Sequence, residues 1–252
     1  MLRTKVSKSI MIISLLLAPL LVNAMEATNT KESQIQFIGK AYDMNTNKFL
    51  YTEHHNYTSE KNHIVNYKET NGDLFATKKI DYKNSYFSPN ITQLNNRNGE
   101  EITTLKSNGK MKITYQESKE HEKLEAAIDY TPRLIIDAGF DNFITHNWSD
   151  LINGKELTID YLIPSRLDHY ELSIKKVPCK TNNLYCFNIS ASSFFIRIFS
   201  NDLKLAYEVF EKRPRLKSFQ GRSNICDKKG NYQDVVIDYQ YESSSDILNN
   251  YL

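Results

Sequence analysis

Asn62–Tyr82 reads NHIVNYKETNGDLFATKKIDY, and this stretch decides the fold. Its central Asn71-Gly72 pair is typical of a tight hairpin turn, because both residue types tolerate the positive φ angles that such turns need. After the turn, residues alternate between two faces: Leu74, Ala76, Ile80 and Tyr82 share one face, and Phe75, Thr77, Lys79 and Asp81 share the other. We therefore predict an antiparallel hairpin, with strands at about 62–70 and 73–82 and one buried face.

The same period of two recurs on both sides of this hairpin. Apolar and polar residues alternate over five further segments: 48–57, 111–116, 157–163, 203–209 and 235–241. Turn signals fall between such runs, at Asn98-Gly99, Asn108-Gly109, Asn153-Gly154 and Lys229-Gly230-Asn231. This pattern predicts a meander of roughly nine to eleven strands.

One segment, 137–151, departs from the period of two. Its bulky apolar residues are spaced as on one face of a helix: Phe140, Phe143, Ile144, Trp148 and Leu151. Asp137 can cap the start of this helix, and Asp141 lies in the first turns, where a negative charge suits the helix dipole. The segment therefore predicts a helix with an aromatic face.

A second, weaker helix is indicated within 117–128, where Leu124, Ala127 and Ile128 share a face. Pro132 prevents one continuous helix through both segments. The fold class we predict is mainly β (α+β): a curved antiparallel sheet, like a half-barrel, with one or two helices covering its concave face. No linker and no fixed-period repeat divides residues 25–252, so we predict a single β-rich domain there.

The first 24 residues have the pattern of an export signal. A basic start at Arg3, Lys5 and Lys8 precedes an apolar run over 10–21, and the run ends at Ala24, a small residue suited to a signal peptidase. The alternative is a membrane anchor, but the run is shorter than the roughly 20 residues that cross a bilayer. No cysteine lies near the cut and no later segment is apolar enough to span a membrane. We therefore expect a mature protein that is soluble, without a membrane span, and periplasmic or secreted.

The charge balance argues against a nucleic-acid partner. Removing residues 1–24 would take away three basic residues and no acidic ones, so the formal net charge would change from +2 to about −1. Nucleic-acid binding calls for a concentrated basic face, and none is indicated.

Three cysteines remain in the predicted mature chain: Cys179, Cys186 and Cys226. The first two flank a good turn sequence at 181–184, so a symmetric hairpin would place them opposite each other, within the distance that a disulfide needs. A metal pair is the alternative, but no third and fourth ligand lies nearby. We predict a Cys179–Cys186 disulfide, with Cys226 either buried or used for intermolecular pairing.

No nucleophile-elbow, phosphate-loop, zinc-protease or dinucleotide motif is present, so no catalytic residue, metal site or cofactor is predicted. Glu53 and His55 share one face of a strand, while His54 points to the other. His63 on the next strand would join Glu53 and His55 in one turn register. Pairing through a turn at 58–61 instead places His63 nearer to Asn56, on the opposite face, and this register is the one we predict. An exposed strand edge is therefore favoured over an acid–base or metal site.

The carboxylates at 137 and 141 are a second pair of polar candidates, four positions apart on one helix face. Paired carboxylates can perform acid–base chemistry, but capping and dipole compensation explain both residues without it.

Aromatic side chains are the more suggestive feature. Bulky residues that can line a cavity lie on the predicted helix and on a later segment: Phe140, Phe143, Ile144 and Trp148, then Phe194 and Phe195. A curved sheet closed by such a helix can enclose an apolar ligand. The alternative is that these residues fill a packed core.

Several short stretches resemble an uncharacterised family of exported bacterial proteins. They are Ala41-Tyr42-Asp43, 51–55, 137–143 (DAGFDNF), Asn147-Trp148, Pro164-Ser165-Arg166 and Ser223-Asn224-Ile225. The resemblance spans most of the predicted mature chain and implies a Gram-negative envelope setting. The family carries no assigned activity, so it implies no catalytic roles. The expected architecture also resembles the half-barrels of periplasmic lipoprotein and lipid carriers, whose curved sheet and helical lid hold acyl chains.

Three hypotheses follow. The favoured one is a non-enzymatic carrier of an apolar or lipid-like ligand. The second is an envelope hydrolase that uses Glu53 and His55, or Asp137 and Asp141, with Arg166 as an anion anchor. The third is an interaction module whose open sheet edge pairs with an unknown protein. A hollow concave face would favour the first, but alternation cannot distinguish a cavity wall from a core wall.

Overall fold

The computed structural model describes residues 35–191 and 203–241, which fall within one compact unit, Ser33–Leu252. The predicted leader, Phe194 and Phe195 lie outside the described residues. Within the two described stretches, no helix is both long enough and apolar enough to cross a bilayer.

The described residues form one large sheet, and two short helices follow its ninth strand. The strands are β1 Ile35–Asp43, β2 Phe49–Ser59, β3 Asn62–Glu69, β4 Leu74–Asp81, β5 Asn90–Asn95, β6 Glu100–Ser107, β7 Lys110–Gln116, β8 Leu124–Asp129, β9 Leu134–Ile135, β10 Leu157–Ile163, β11 Asp168–Val177, β12 Tyr185–Ala191, β13 Leu203–Phe210, β14 Arg213–Cys226 and β15 Tyr232–Tyr241. The helices are α1 Gly139–His146 and α2 Trp148–Ile152, and a 3₁₀ turn covers Pro164–Arg166. The prediction of a mainly β, antiparallel fold is confirmed.

The sheet consists of two meanders, β1–β8 and β9–β15, which meet at a seam where β1 pairs with β15. Its order is β8-β7-β6-β5-β4-β3-β2-β1-β15-β14-β13-β12-β11-β10-β9, so β1 joins the N-terminal strands to the C-terminal ones. All neighbours pair antiparallel except β9, which runs parallel to β10. Fifteen strands are found in the described residues, more than the nine to eleven expected. The shortest, β9, is only two residues long and gives no periodic signal.

Residues 117–128 contain a strand and not the second helix that we predicted. Leu124–Asp129 pairs with β7 as an edge strand, with Ile113 opposite Ala126. Leu124, Ala126 and Ile128 have a period of two, and the hydrogen bonds offered by the edge of β7 favour that period over the helical one.

The helix predicted over 137–151 is found as two helices that meet at Asn147, whose side chain donates to the Phe143 carbonyl (2.9 Å). Asp137 does not cap α1, because Ala138 holds the N-cap position and no side chain bonds there. Asp137 has φ +40° and turns its carboxylate towards Lys78. The capping interpretation of Asp137 was therefore wrong.

The hairpin of β11 and β12 carries the predicted Cys179–Cys186 disulfide, with 5.4 Å between the Cα atoms. Val177, and not Cys179, lies opposite Cys186 in the register, so Cys179 reaches the bond from just beyond the end of β11. Cys226 is a buried free thiol that accepts a hydrogen bond from the Asn95 amide (3.2 Å).

The sheet is curved, because the 3₁₀ turn beside β10 contacts β6 and β7, which lie far away in the strand order. Two hydrophobic clusters fill the structure. One lies mainly under β1–β7 and β15, and the other lies between α1, α2 and β10–β13.

Candidate ligand-binding cavity

A cavity of ≈ 1320 Å³ lies on the concave face of the sheet. Side chains from every strand except β8 and β9 line it, together with the segment that leads into α1. Its volume exceeds the roughly 300–1,000 Å³ of common small-molecule sites. Part of the wall is aliphatic and comes from these side chains: Val65, Ile80, Ile91, Ile102, Ile136, Leu162, Ile163, Leu172, Ile189, Leu203, Leu205, Leu216 and Ile237. The concave face is therefore hollow and not fully packed.

All five polar candidates from the sequence line this one cavity: Glu53, His55, Asp137, Asp141 and Arg166. They come from β2, from the start of α1 and from the 3₁₀ turn, which are far apart in the chain. The curvature of the sheet brings them to a common wall.

The four bulky apolar candidates on the helical segment divide between the cavity and the core. Phe140 lines the cavity, but Phe143, Ile144 and Trp148 are not among the lining residues. Ile144 is fully buried in the second hydrophobic cluster, and Phe143 packs edge-on against Phe87. Trp148 packs against Tyr207 and two other rings of that cluster. The helix therefore turns most of its aromatic face towards the core.

The first polar group on the wall is a chain of three side chains, Glu53, His55 and His63. His55 Nε2 lies 3.3 Å from Glu53 Oε2, and its Nδ1 lies 3.1 Å from His63 Nε2. The Tyr239 hydroxyl donates to the same carboxylate oxygen (3.2 Å). Rings pack along this chain, since Phe37 stacks on His55 and Tyr57 on His63.

The position of His63 differs from the prediction. His63 pairs with Tyr57 and not with Asn56, so it shares the face of Glu53 and His55. A β-bulge between Tyr57 and Ser59 shifts the register by one residue, which moves a side chain to the other face.

Burial, together with His55 and Lys78, lowers the pKa of His63 to about 2. A neutral imidazole has one donor and one acceptor nitrogen, so a neutral His63 and His55 can share one proton along the chain. His63 Nδ1 is buried without a partner among the described atoms. His63 is therefore the neutral member of this hydrogen-bonded chain at neutral pH.

The second polar group surrounds Lys78, whose side chain is only 2% exposed. Its ammonium group forms an ion pair with Asp137, and the Asn224 amide donates to the same carboxylate (3.2 Å). The Asn224 carbonyl accepts from Gln93 (3.1 Å) and its side-chain oxygen from Tyr67 (3.5 Å). Lys78 was not among the polar candidates, although its place between Ala76 and Ile80 in the inward row of β4 was a signal.

The third polar group is Asp141 with Tyr207. The Tyr207 hydroxyl donates to Asp141 Oδ1 at 2.8 Å. Burial raises the pKa of Asp141 above its ordinary value of 3.8, while this hydrogen bond and His55 oppose the rise. Nothing in the sequence pointed to Tyr207 as a partner, because 66 residues separate the two.

The wall offers hydrogen-bonding groups together with aliphatic and aromatic surface. Among the described side chains, no group of three or more His, Cys, Asp or Glu residues is arranged to hold a metal ion.

Comparison of the chain with protein-family models, with curated proteins and with solved structures found no match. The cavity and its wall are therefore the features that bear on function.

Proposed function

We propose that the protein binds or carries an apolar or amphipathic, lipid-like ligand in an extracytoplasmic compartment. The observation that carries this proposal is the ≈ 1320 Å³ cavity, whose wall is formed in large part by aliphatic and aromatic side chains. A soluble domain normally packs such residues against each other, because burial is how they stabilise a fold. A cavity with a wall of this kind favours the binding of an apolar ligand.

The free energy available from burial is sufficient for useful affinity. Each CH₂ group transferred from water contributes about 0.8 kcal/mol, so a twelve-carbon chain would contribute on the order of 10 kcal/mol before the costs of association. The polar groups on the wall would then orient the head of the ligand.

Two features support an extracytoplasmic setting. The first 24 residues have the composition of an export signal, and the Cys179–Cys186 disulfide is typical of oxidising compartments.

The test is native mass spectrometry of the purified protein, followed by titration with 1-dodecanol and a neutral fluorescent probe, N-phenyl-1-naphthylamine. We expect co-purified lipid or probe binding in the wild type. The variant Ala138→Phe should weaken probe binding at least tenfold, because Ala138 lies on the cavity wall and a ring would fill part of the space. The matched control is Ala127→Phe, on the exposed edge strand. Absence of both co-purified lipid and probe binding would overturn the proposal.

A hydrolase is the second candidate, and one observation favours it. Glu53, His55, Asp137, Asp141 and Arg166 all lie on the wall of one cavity, as a catalytic site would require. Hydrolysis of 4-nitrophenyl acyl esters, compared between wild type and His55→Gln, tests this candidate. Equal rates in the two proteins would remove the Glu53–His55 pair, and equal rates in wild type and Asp141→Asn would remove the Asp137–Asp141 pair.

A further inference from the structure

The turn between β13 and β14 carries exposed apolar side chains at an opening of the cavity. Val209 is 45% exposed and Phe210 is 50% exposed. Phe210, Glu211 and Arg213 also line the cavity, and a lining residue that is exposed lies where the cavity meets solvent. The Arg215 guanidinium lies over the Phe210 ring, 4.0 Å from its centroid, and still leaves the ring half exposed. Residues 209–213 therefore form an amphipathic tip at the opening.

The tip and its flanks have an excess of positive charge. Four cations and two carboxylates lie within 208–217, and Arg215 pairs with Glu208 (2.6 Å). Lys212 and Arg213 are exposed, and neither forms an ion pair with a described side chain. The tip therefore presents two unpaired cations beside its apolar side chains.

The backbone of the tip does not favour the residues that occupy it. Phe210 pairs with Arg213, and the two residues between them, Glu211 and Lys212, have φ of +48° and +65°. Positive φ at both central positions is typical of a type I′ turn, where Asn and Gly are the common residues. The conformation of the turn therefore does not explain a lysine at this position.

A second exposed aromatic side chain lies at the same end of the sheet. Tyr86, between β4 and β5, is 44% exposed, and Lys61 Nζ lies 3.8 Å from its ring centroid. Tyr86 stacks on Tyr82, which lines the cavity. The antiparallel register places the β2–β3 turn, the β4–β5 connection and the β13–β14 turn at one end of the strands. This end therefore carries two exposed aromatic residues, each beside a cation.

This combination of groups matches a lipid surface better than a protein partner. Each partner of a stable protein complex buries roughly 800 Å², far more than a few half-exposed side chains offer. A bilayer requires no such area, because single apolar side chains can enter its interface while lysine and arginine reach its anionic head groups. The unpaired cations of the tip favour a bilayer that contains anionic lipids.

We propose that the tip docks the opening of the cavity onto the surface of an anionic lipid bilayer. In this arrangement Val209 and Phe210 enter the interface, and Lys212 and Arg213 contact lipid phosphates. The inference rests on the proposed function, because a docked opening lets a lipid-like ligand pass between bilayer and cavity without exposing its apolar chain to water.

The experiment measures co-sedimentation of the protein with two kinds of vesicle, equimolar phosphatidylglycerol and phosphatidylcholine, or phosphatidylcholine alone. Every protein is expressed as the full chain, so that wild type and variants share one N-terminus. We expect at least tenfold tighter binding to the anionic vesicles, and a decrease in this binding as added salt screens the charges. Equal binding to both kinds of vesicle, or binding to neither, would overturn the proposal.

Phe210→Ser tests the apolar part of the tip, and it should weaken binding to anionic vesicles at least fivefold. Leu74→Ser is the matched control and should bind like wild type, because Leu74 is 54% exposed and lies at the opposite end of the sheet.

Lys212→Gly tests the charge of the tip, with an expected loss of about fivefold for one cation. Glycine adopts φ +65° without strain, so this variant should fold at least as stably as wild type. The matched control, Lys229→Gly, removes an exposed lysine from the β14–β15 turn at the opposite end and should keep wild-type binding. Equal losses in a tip variant and its control would mean adsorption without docking through the tip, and would overturn the proposal.

Binding of N-phenyl-1-naphthylamine without vesicles separates this proposal from the proposed function. Lys212 does not line the cavity, so Lys212→Gly should keep the affinity for the probe. Wild type that binds the probe but no vesicles would overturn the docking surface alone, whereas failure to bind the probe would count against the carrier function. A dimer that Phe210→Ser dissociates in sedimentation velocity would assign the tip to a second copy of the chain, and would also overturn docking. The preference of wild type for anionic vesicles needs no variant, so the proposal stays testable if Phe210→Ser does not fold.

Discussion

Lys78 is a charged side chain that faces inward, and burying its ammonium group carries a free-energy cost that its ion-pair partner offsets. Its ammonium group is nearly fully buried against Asp137, whose side chain is 24% exposed. Removing one partner of a buried ion pair leaves the other charge without compensation, and the loss is larger when the remaining group is the more buried one. The two partners should therefore not be equivalent.

We predict that Asp137→Asn lowers the free energy of unfolding by about 3–5 kcal/mol, because it leaves a buried ammonium group unpaired. Asn keeps the positive φ of this position accessible. Lys78→Met should cost less, because Asp137 keeps partial access to solvent. Urea denaturation measures both, with Lys110→Met as the control for an exposed pair, where a loss of about 0–1 kcal/mol is expected. A larger loss for Lys78→Met than for Asp137→Asn would contradict this asymmetry.

Glu100 gives a pH-dependent prediction. Burial raises the pKa of this carboxyl above its ordinary value of 4.5, against hydrogen bonds from Tyr232, Cys226 and Gln93 and the charge of Lys78. A carboxyl whose pKa is raised on folding binds more protons in the folded state. Its contribution to the free energy of unfolding is therefore lost as the pH rises from the pKa of the unfolded state through the higher pKa of the folded state.

Glu100→Gln should accordingly stabilise the protein at pH 7 relative to wild type, and the gain should disappear towards pH 4. Thermal denaturation across this pH range checks the sign. Glu101→Gln, on the neighbouring and more exposed position, is the control and should show no such trend. A gain for Glu100→Gln at pH 4 that equals the gain at pH 7 would contradict the prediction.

At the scale of elements, the sequence predicted most strands but not every register. The strands β3, β4, β7, β10, β13 and β15 and the helical segment near 140 lie where their periodicity placed them. At the start of β4 the predicted faces were wrong: Leu74 is 54% exposed and Phe75 is buried, because the register shifts at that end of the β3–β4 pair. The edge strand β8 did not, because six residues satisfy both a helical and a strand period and only pairing with β7 decides between them. His63 was assigned to the wrong face for a similar reason, since a bulge beside the turn has no local signal.

The disulfide is a local staple for the β11–β12 hairpin. The bond closes a loop with a sequence separation of 7, so the chain-entropy model gives a contribution of about 2.5 kcal/mol. We predict that Cys179→Ala/Cys186→Ala lowers the free energy of unfolding by about this amount and leaves the β-sheet circular dichroism signal intact. Alkylation of the unfolded, unreduced wild type should label Cys226 alone, and labelling of all three cysteines would contradict the bond.

At the scale of the whole molecule, the sequence pattern could not predict that the concave face encloses a cavity. The inward residues of β3, β4 and β15 alternate in the same way whether they face a core or an open cavity. The cavity arises because β1 joins two meanders into one curved sheet, so that residues as far apart as Glu53 and Tyr207 share one wall.

The seam at β1 gives the last prediction. A Cβ atom at Gly39 would lie 2.8 Å from Tyr239 Cε1 and 3.2 Å from Glu53 Oε2, closer than side chains normally approach. Gly39→Val should therefore displace the rings of β15 from β2 and lower the free energy of unfolding by about 1–3 kcal/mol, the usual cost of overpacking. Because both meanders form the cavity wall, binding of N-phenyl-1-naphthylamine should weaken in parallel. Lys40→Val, on the opposite face of the same strand, is the control and should keep probe binding. If Gly39→Val has the same free energy of unfolding and the same affinity for the probe as wild type, the packing around Gly39 does not maintain the shape of the cavity.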